Sequence, residues 1–270
     1  MTFRGMTNDN AEIYVLYNFA AYKCDRVSLY GLCHNLLTIF CQLSLYKLCT
    51  WCDVITSSIP TTPPWLLTRP AFNFTLHCYY KSNTPPEIFK RRFYELCHEF
   101  KNYYRIFTDG SKEGNRVAAA VVHQDNTKCV RLPDTASIFR AELYALLLAI
   151  DVVRHSKEKN FVIFSDSMSS LQSISGFNLD SHLVQKFLKD YTILAKNGKN
   201  IVLCWIRSRV GILSNEKADA AAKSALSLPV TRMKLPATDV YPRITKLIFD
   251  EWQEVWNCCA GNKLHAIDLL

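Results

Sequence analysis

The sequence predicts an α/β fold: a five-stranded mixed sheet, with an antiparallel meander followed by parallel strands, flanked by helices and extended by helical N- and C-terminal segments. Three observations predict it. Short β-branched or apolar runs recur at Tyr104–Thr108, Val117–His123, Cys129–Leu132, Phe161–Ser165 and Ile201–Trp205. Segments of helical periodicity separate the later runs, while only turn residues separate the first three. The resulting order, β-β-β-α-β-α-α-β-α, calls for hairpin links at first and helical crossovers afterwards.

The elements follow from local chemistry. Tyr104–Thr108 runs into Asp109-Gly-Ser, which reads as a turn, and Asp125-Asn126 marks the next reversal. Ser137 is placed to cap a long helix from Ile138 to about His155. Ser167–Ile174 reads as a short helix, and His182–Lys196 as a longer one ended by Asn197-Gly198. After Trp205 comes an irregular loop, then a helix from Ser214 or Asn215 to about Ala225.

Four segments are expected: a Cys/Leu-rich helical extension at 1–56, a proline-rich linker with an amphipathic helix at 57–102, the central domain at 103–227, and a tail at 228–270. Val27–Tyr46 carries no formal charge and approaches the ~20 apolar residues of a membrane span. His34, Asn35 and Gln42 interrupt it, and Leu29, Leu32, Leu36, Phe40 and Leu43 fall at helical spacing, so a helix seeking a protein partner is expected rather than a span. Six of the ten prolines lie between Pro60 and Pro86. Thr84-Pro-Pro-Glu87 fits a capping box, and the helix after it shows Phe89, Phe93, Leu96 and Phe100 on one face with Lys90, Arg91 and Arg92 elsewhere. That basic run reads first as a solvated face and second as a contact for nucleic acid. In the tail, Ile244, Ile248, Trp252, Val255 and Cys259 share a stripe suited to packing on a neighbour, after Pro242.

Composition narrows the function. The 270 residues include 32 Lys+Arg against 24 Asp+Glu, a net charge of +8, with 49% hydrophobic and 21% charged residues. Disordered, collagen-like and disulfide-scaffold classes are excluded. The basic excess suits a polyanionic partner and equally a surface charged for solubility. Eleven cysteines, an odd number, follow an N-terminus without a basic-then-apolar leader, so reduced thiols in the cytoplasm or nucleus are expected, not secretion. Cys49-Thr-Trp-Cys52 has no second CxxC or HxxxH to complete a zinc site.

The chemistry rests on carboxylates. Asp109 and Asp166 each follow an apolar strand at its C-terminal end, where ligands bind in open α/β sheets. Glu142 shares a helix face with Leu146, Ala149, Ile150 and Val153, which places it on the buried side. Asp219 lies in the first turns of the last helix, among small residues. Singly, each has an ordinary reading: a turn, a cap, a helix-start charge, or an ion pair of Glu142 with a buried arginine. Jointly, four acids converging on one edge repel one another unless divalent metal is present, and hard oxygen ligands suit Mg2+ or Mn2+.

Phe-Thr-Asp109-Gly-Ser-Lys, Arg-Ala-Glu142-Leu, Phe-Ser-Asp166-Ser and Trp-Ile-Arg-Ser-Arg-Val-Gly-Ile-Leu-Ser-Asn215-Glu-Lys-Ala-Asp219 resemble a type 1 ribonuclease H domain over about 103–226, most closely the version carried by non-LTR retrotransposon polyproteins. Pro-Pro-Trp-Leu-Leu and the Trp252–His265 tail are similar to segments flanking it there. The resemblance implies a ribonuclease H-like fold. It also implies hydrolysis of the RNA strand of an RNA–DNA hybrid to a 5′-phosphate and a 3′-hydroxyl, with two Mg2+ or Mn2+ ions held by Asp109, Glu142, Asp166 and Asp219. Gly110, Ser111, Ser137, Arg140, Arg209 and Asn215 are the implied substrate contacts, and a reverse transcriptase is the implied neighbouring domain.

The loop before the last helix departs from the family pattern. Arg207 stands for a proline, Arg209 for a histidine and Ser214 for a glycine. In the family that histidine assists proton transfer or product departure. Arginine stays protonated at neutral pH but holds phosphate well. The expectation is therefore an active enzyme of reduced turnover. The competing readings are a catalytically weak or inactive nucleic-acid-binding remnant, and another nuclease or recombinase of the same broad fold.

Overall fold

The computed structural model describes residues 54–55, 62–80, 83–124, 126–233, 235–236 and scattered helical positions between 245 and 258. The Val27–Tyr46 helix, the Cys49/Cys52 pair and most of the tail stripe lie outside the described residues; of that stripe, Ile248 and Trp252 have helical backbone. The chain divides into two compact units, Ser58–Met233 and a second made of Met1–Ser57 with Lys234–Leu270. In the second unit, Val54–Ile55 pairs in parallel with Leu235–Pro236. Among the described residues no helix is long and apolar enough to cross a membrane.

The Ser58–Met233 unit contains β1 (Ala71–Asn73), α1 (Pro86–Glu99), β2 (Tyr104–Glu113), β3 (Arg116–His123), β4 (Asn126–Leu132), α2 (Ile138–His155), β5 (Asn160–Ser165), α3 (Met168–Ser175), α4 (His182–Lys196), β6 (Asn200–Trp205) and α5 (Leu213–Ser224). The sheet runs β1-β6-β5-β2-β3-β4. Strands β2, β3 and β4 form the antiparallel meander, and β1, β6, β5 and β2 are parallel. The predicted mixed sheet and its element order are therefore present.

Three local differences from the expectation have physical causes. The sheet has six strands rather than five, because Ala71–Asn73 in the proline-rich linker pairs with Val202, Leu203 and Cys204. Three residues after Pro70 carry no periodic signal, and they occupy the sheet edge, where one-sided pairing suffices. Thr84 does not cap α1; Pro85 is the N-cap with no side-chain bond, and Pro86 takes the first helical position. Asp109-Gly-Ser is not a turn. β2 continues through it to Glu113, and the reversal falls at Gly114, whose φ is +56°.

Gly110 is needed for close approach instead. A β-carbon there would lie 2.9 Å from the Glu142 backbone nitrogen and 3.0 Å from Ala141 Cβ. Helices α2 and α5 both pack on β2 and β3, so they cover opposite faces of the same strands. Ala118, Ala119 and Ala120 in β3 are fully buried, and their small size lets both helices come near. Helix α1 packs its predicted face, with Phe93 against Phe107 and Phe164. Ser137 caps α2 as expected, accepting from the Arg140 backbone N–H at 3.1 Å.

Gly110→Ala forces helix and strand apart, and it should cost about 1–3 kcal/mol. At roughly 2–4 °C per kcal/mol in a domain of this size, thermal unfolding without divalent ions should show the loss directly.

Candidate active site

Parallel register brings the first two acids together. Thr108 of β2 faces Ser165, the last residue of β5, so the residues that follow, Asp109 and Asp166, stand side by side where β5 ends. Strand β2 continues past this point, which keeps Asp109 on a rigid backbone. Glu142 approaches from α2, over the space that Gly110 leaves free. One oxygen from each of Asp109, Glu142 and Asp166 lies within 4.8 Å of the others.

Few donors hold these carboxylates. The Asn215 side-chain amide donates to Asp166 Oδ2 at 3.3 Å, and the Trp205 indole N–H donates to the Asp166 backbone carbonyl at 3.0 Å. The Gly110 backbone N–H bonds toward both Asp109 and Glu142. Glu142 Oε2 is sealed from solvent with no hydrogen-bond partner among the described residues. Asp219 comes from α5, on the other face of β2. It is 43% exposed, pairs with Lys223 Nζ at 2.6 Å, and lies within hydrogen-bonding reach of Asp109. It stands at the rim, outside the tight group of three.

Burial and mutual repulsion set the electrostatics. Burial first, then the charges of Asp166 and Asp219, push the Asp109 carboxyl up to about 8. Burial, then Asp109 and Asp166, hold Glu142 well above the usual carboxylate range. Asp166 is raised by burial too, but the Asn215 hydrogen bond and the Arg209 charge favour its ionised form. An all-oxygen donor set of this size, with one buried oxygen lacking a partner, fits a hard divalent cation.

The other residues singled out by the sequence divide. Asn215 is 4% exposed and orients Asp166. Arg209 is exposed on the loop between β6 and α5, with its charge felt at Asp166. Gly110 is the point where α2 meets β2. Ser137 uses its hydroxyl as the α2 cap. Ser111 and Arg140 are buried, at 8% and 5% exposure, and Arg140 lies near enough to His182 for its charge to act there. Sequence reasoning had Arg140 lining a groove, because periodicity alone does not reveal that α4 packs over α2. It also missed Trp205 as a holder of Asp166. The signal was present in the parallel register, which sets Trp205 opposite Ser165.

Residues 101–227 match the RNase H family model. This stretch is similar to RNase H. A comparison of the chain with curated proteins gives no match. The six-stranded mixed sheet with helices on both faces is the RNase H-like fold, and the three clustered acids lie within the matched residues.

The raised carboxyls make the metal-free domain pH-sensitive, and the sign follows from their direction. Folded Asp109 keeps its proton up to about 8, whereas an unfolded aspartate loses it near ~3.9. Between those values the folded state binds more protons, so the site's stabilising contribution is complete at low pH and is lost as pH rises toward 8. In EDTA at pH 8, Asp109→Asn should therefore unfold at a higher temperature than the parent, by roughly 2–4 °C per kcal/mol of repulsion removed. Millimolar Mg2+ or Mn2+ should raise the parent's Tm and leave the variant's nearly unchanged. Equal Tm values in EDTA would refute the electrostatic account.

Proposed function

We propose that this domain hydrolyses the RNA strand of RNA–DNA hybrids endonucleolytically, leaving a 5′-phosphate and a 3′-hydroxyl. The observation that carries the proposal is the group of three carboxylates, crowded within 4.8 Å at a strand end and unpaired with any lysine or arginine among the described residues, inside a segment that matches RNase H. Asp109, Glu142 and Asp166 hold one divalent ion. Asp219, beside Asp109 at the rim, completes a second site with it. When bound, such ions neutralise the phosphodiester and supply an activated water for in-line attack.

The protein's own groups do the positioning. Asn215 and Trp205 fix Asp166 from its two ends, through the carboxylate and the backbone carbonyl. The rigid β2 strand fixes Asp109, and the Gly110 contact sets how deeply Glu142 enters. By resemblance to the family, Glu142 would sit near the 2′-hydroxyl that distinguishes RNA from DNA. Arg209 holds a non-bridging phosphate oxygen as a permanent cation, and it cannot pass a proton at neutral pH. Turnover is accordingly reduced. The sequence context points to a retrotransposon-derived polyprotein, with a reverse transcriptase as the neighbouring domain. A hybrid-binding remnant without turnover is the second reading. The Lys223 pairing of Asp219 favours it, since that ion pair competes with a second metal.

A labelled RNA–DNA hybrid with Mg2+ or Mn2+ separates the two. The parent should cut only the RNA strand and Asp109→Asn should cut neither, a loss of at least ~10³-fold. No cleavage by the parent leaves the remnant reading standing. Arg209→His should raise turnover by roughly 10²-fold, the low end of what acid–base assistance supplies. If it gave no gain, the limiting role of the loop would be wrong.

A further inference from the structure

The family match starts at residue 101, yet the compact unit that contains it starts at Ser58. Helix α1 lies in the difference. Phe89, Phe93 and Leu96 are buried, so α1 is part of the packed body rather than a loose lead-in. Its basic run does not behave as one solvated face. Arg91 and Arg92 both engage Glu95, at 3.9 and 2.7 Å. Lys90 makes no ion pair or hydrogen bond among the described residues, and it is half-buried.

The position of Lys90 explains its burial. Its Cε and Nζ occupy the place where a side chain at Gly211 would begin. Gly211 has φ +77° and lies two residues beyond Arg209, on the loop that leads from β6 to α5 and carries a cation to the edge of Asp166. An ammonium without a partner among the described residues thus packs against a loop that bears a second cation, Arg209. Lys90 has no acidic partner among the described residues, and half-burying an ammonium carries a desolvation cost. An anion bound beside Lys90 and the Arg209 loop offsets that cost. A phosphodiester presented to the carboxylates brings such an anion at every nucleotide.

We propose that Lys90 and Arg209 form a phosphate-binding site for the backbone of the bound nucleic acid, so that α1 serves as a substrate-binding part of the nuclease though it lies outside the family match. This rests on the function proposed above and extends it to a residue of another segment. The Gly211 main chain is what lets the Lys90 ammonium reach the loop, and the charge pairing within α1 leaves that one cation available.

The test measures binding apart from cleavage. In the full chain with Asp109→Asn, the dissociation constant for a short RNA–DNA hybrid is measured across salt concentrations, with and without Lys90→Ala. Losing one phosphate contact should weaken binding roughly 5–10-fold at 0.1 M salt and flatten the log–log salt slope by about 0.9. Lys90→Arg should keep most of the affinity, and Arg91→Ala should match its parent in both affinity and slope. Thermal unfolding of Lys90→Ala should be unchanged or slightly improved, because a half-buried charge without a partner among the described residues is removed. An unchanged salt slope overturns the proposal. So does a fall in Tm with no change in slope, which would make Lys90 a mere brace for the loop. Failure of the hydrolytic reading looks different: the parent with Asp109 intact cuts no hybrid while the Lys90 effect on binding persists.

Discussion

The structure around the site depends on anions brought together without being neutralised. Elsewhere in the domain, several acids have basic partners. Asp151 pairs with Lys128, and Asp190 pairs with Arg154 and Lys186. Asp109, Glu142 and Asp166 have no lysine or arginine ion pair among the described residues, and burial with the neighbouring acids shifts each carboxyl toward its protonated form. A fold optimised for its own stability would place a lysine there or remove the acids, because an unpaired buried charge is among the costlier features a core can carry. A cation from solution would relieve the arrangement, and the affinity for that cation would draw on the repulsion the fold sustains.

Sustaining it requires a backbone that cannot relax, and the sheet provides one. β2 is a central strand, paired with β5 on one side and β3 on the other, and covered by α2 and α5 on its two faces. Asp109 therefore cannot swing away from Asp166. Glu142 cannot retreat either, because α2 is pressed onto Gly110 with no room for a β-carbon between them. The buried alanines of β3 serve the same end, letting two helices approach one strand pair closely. Asp219 is the exception. Its helix exposes it enough to take Lys223 as a partner, so it alone of the four acids is already compensated.

How much of this was legible in the sequence depended on the range of the signal. Strands and helices longer than five residues announced themselves by period, and the Ser137 cap by its hydroxyl. The convergence of Asp109 and Asp166 followed once the two strands were taken as parallel neighbours, since register then leaves little freedom. The reading failed where a residue has two uses. Gly110 looked like a turn because glycine marks turns, when its small size was needed by a helix distant in sequence. Arg140 was implied as a substrate contact, and nothing local reveals that it is buried in a helix on which α4 packs. β1 was invisible because three residues at an edge carry no pattern. Lys90 was read with Arg91 and Arg92 as one face, and only their pairing with Glu95 separates them.

The loop after β6 shows how packing places a charge. Ile206, Val210 and Ile212 are all nearly fully buried, which pins the loop at both ends and leaves Arg209 pointing outward. The pinning is strong enough to hold Arg209 at φ +57°, a left-handed conformation that costs a non-glycine residue about 1–2 kcal/mol. Strain of that size persists only where its surroundings impose it. The outcome is a fixed positive charge beside one acid of the three. With Asn215 acting in the same direction, Asp166 becomes the member most favoured as an anion, while burial first and then neighbouring acids push Asp109 and Glu142 toward their protonated forms. The three acids are therefore unequal. A cation arriving from solvent finds in Asp166 the acid most disposed to meet it as an anion, and it works against the raised proton affinity of the other two as it draws them in.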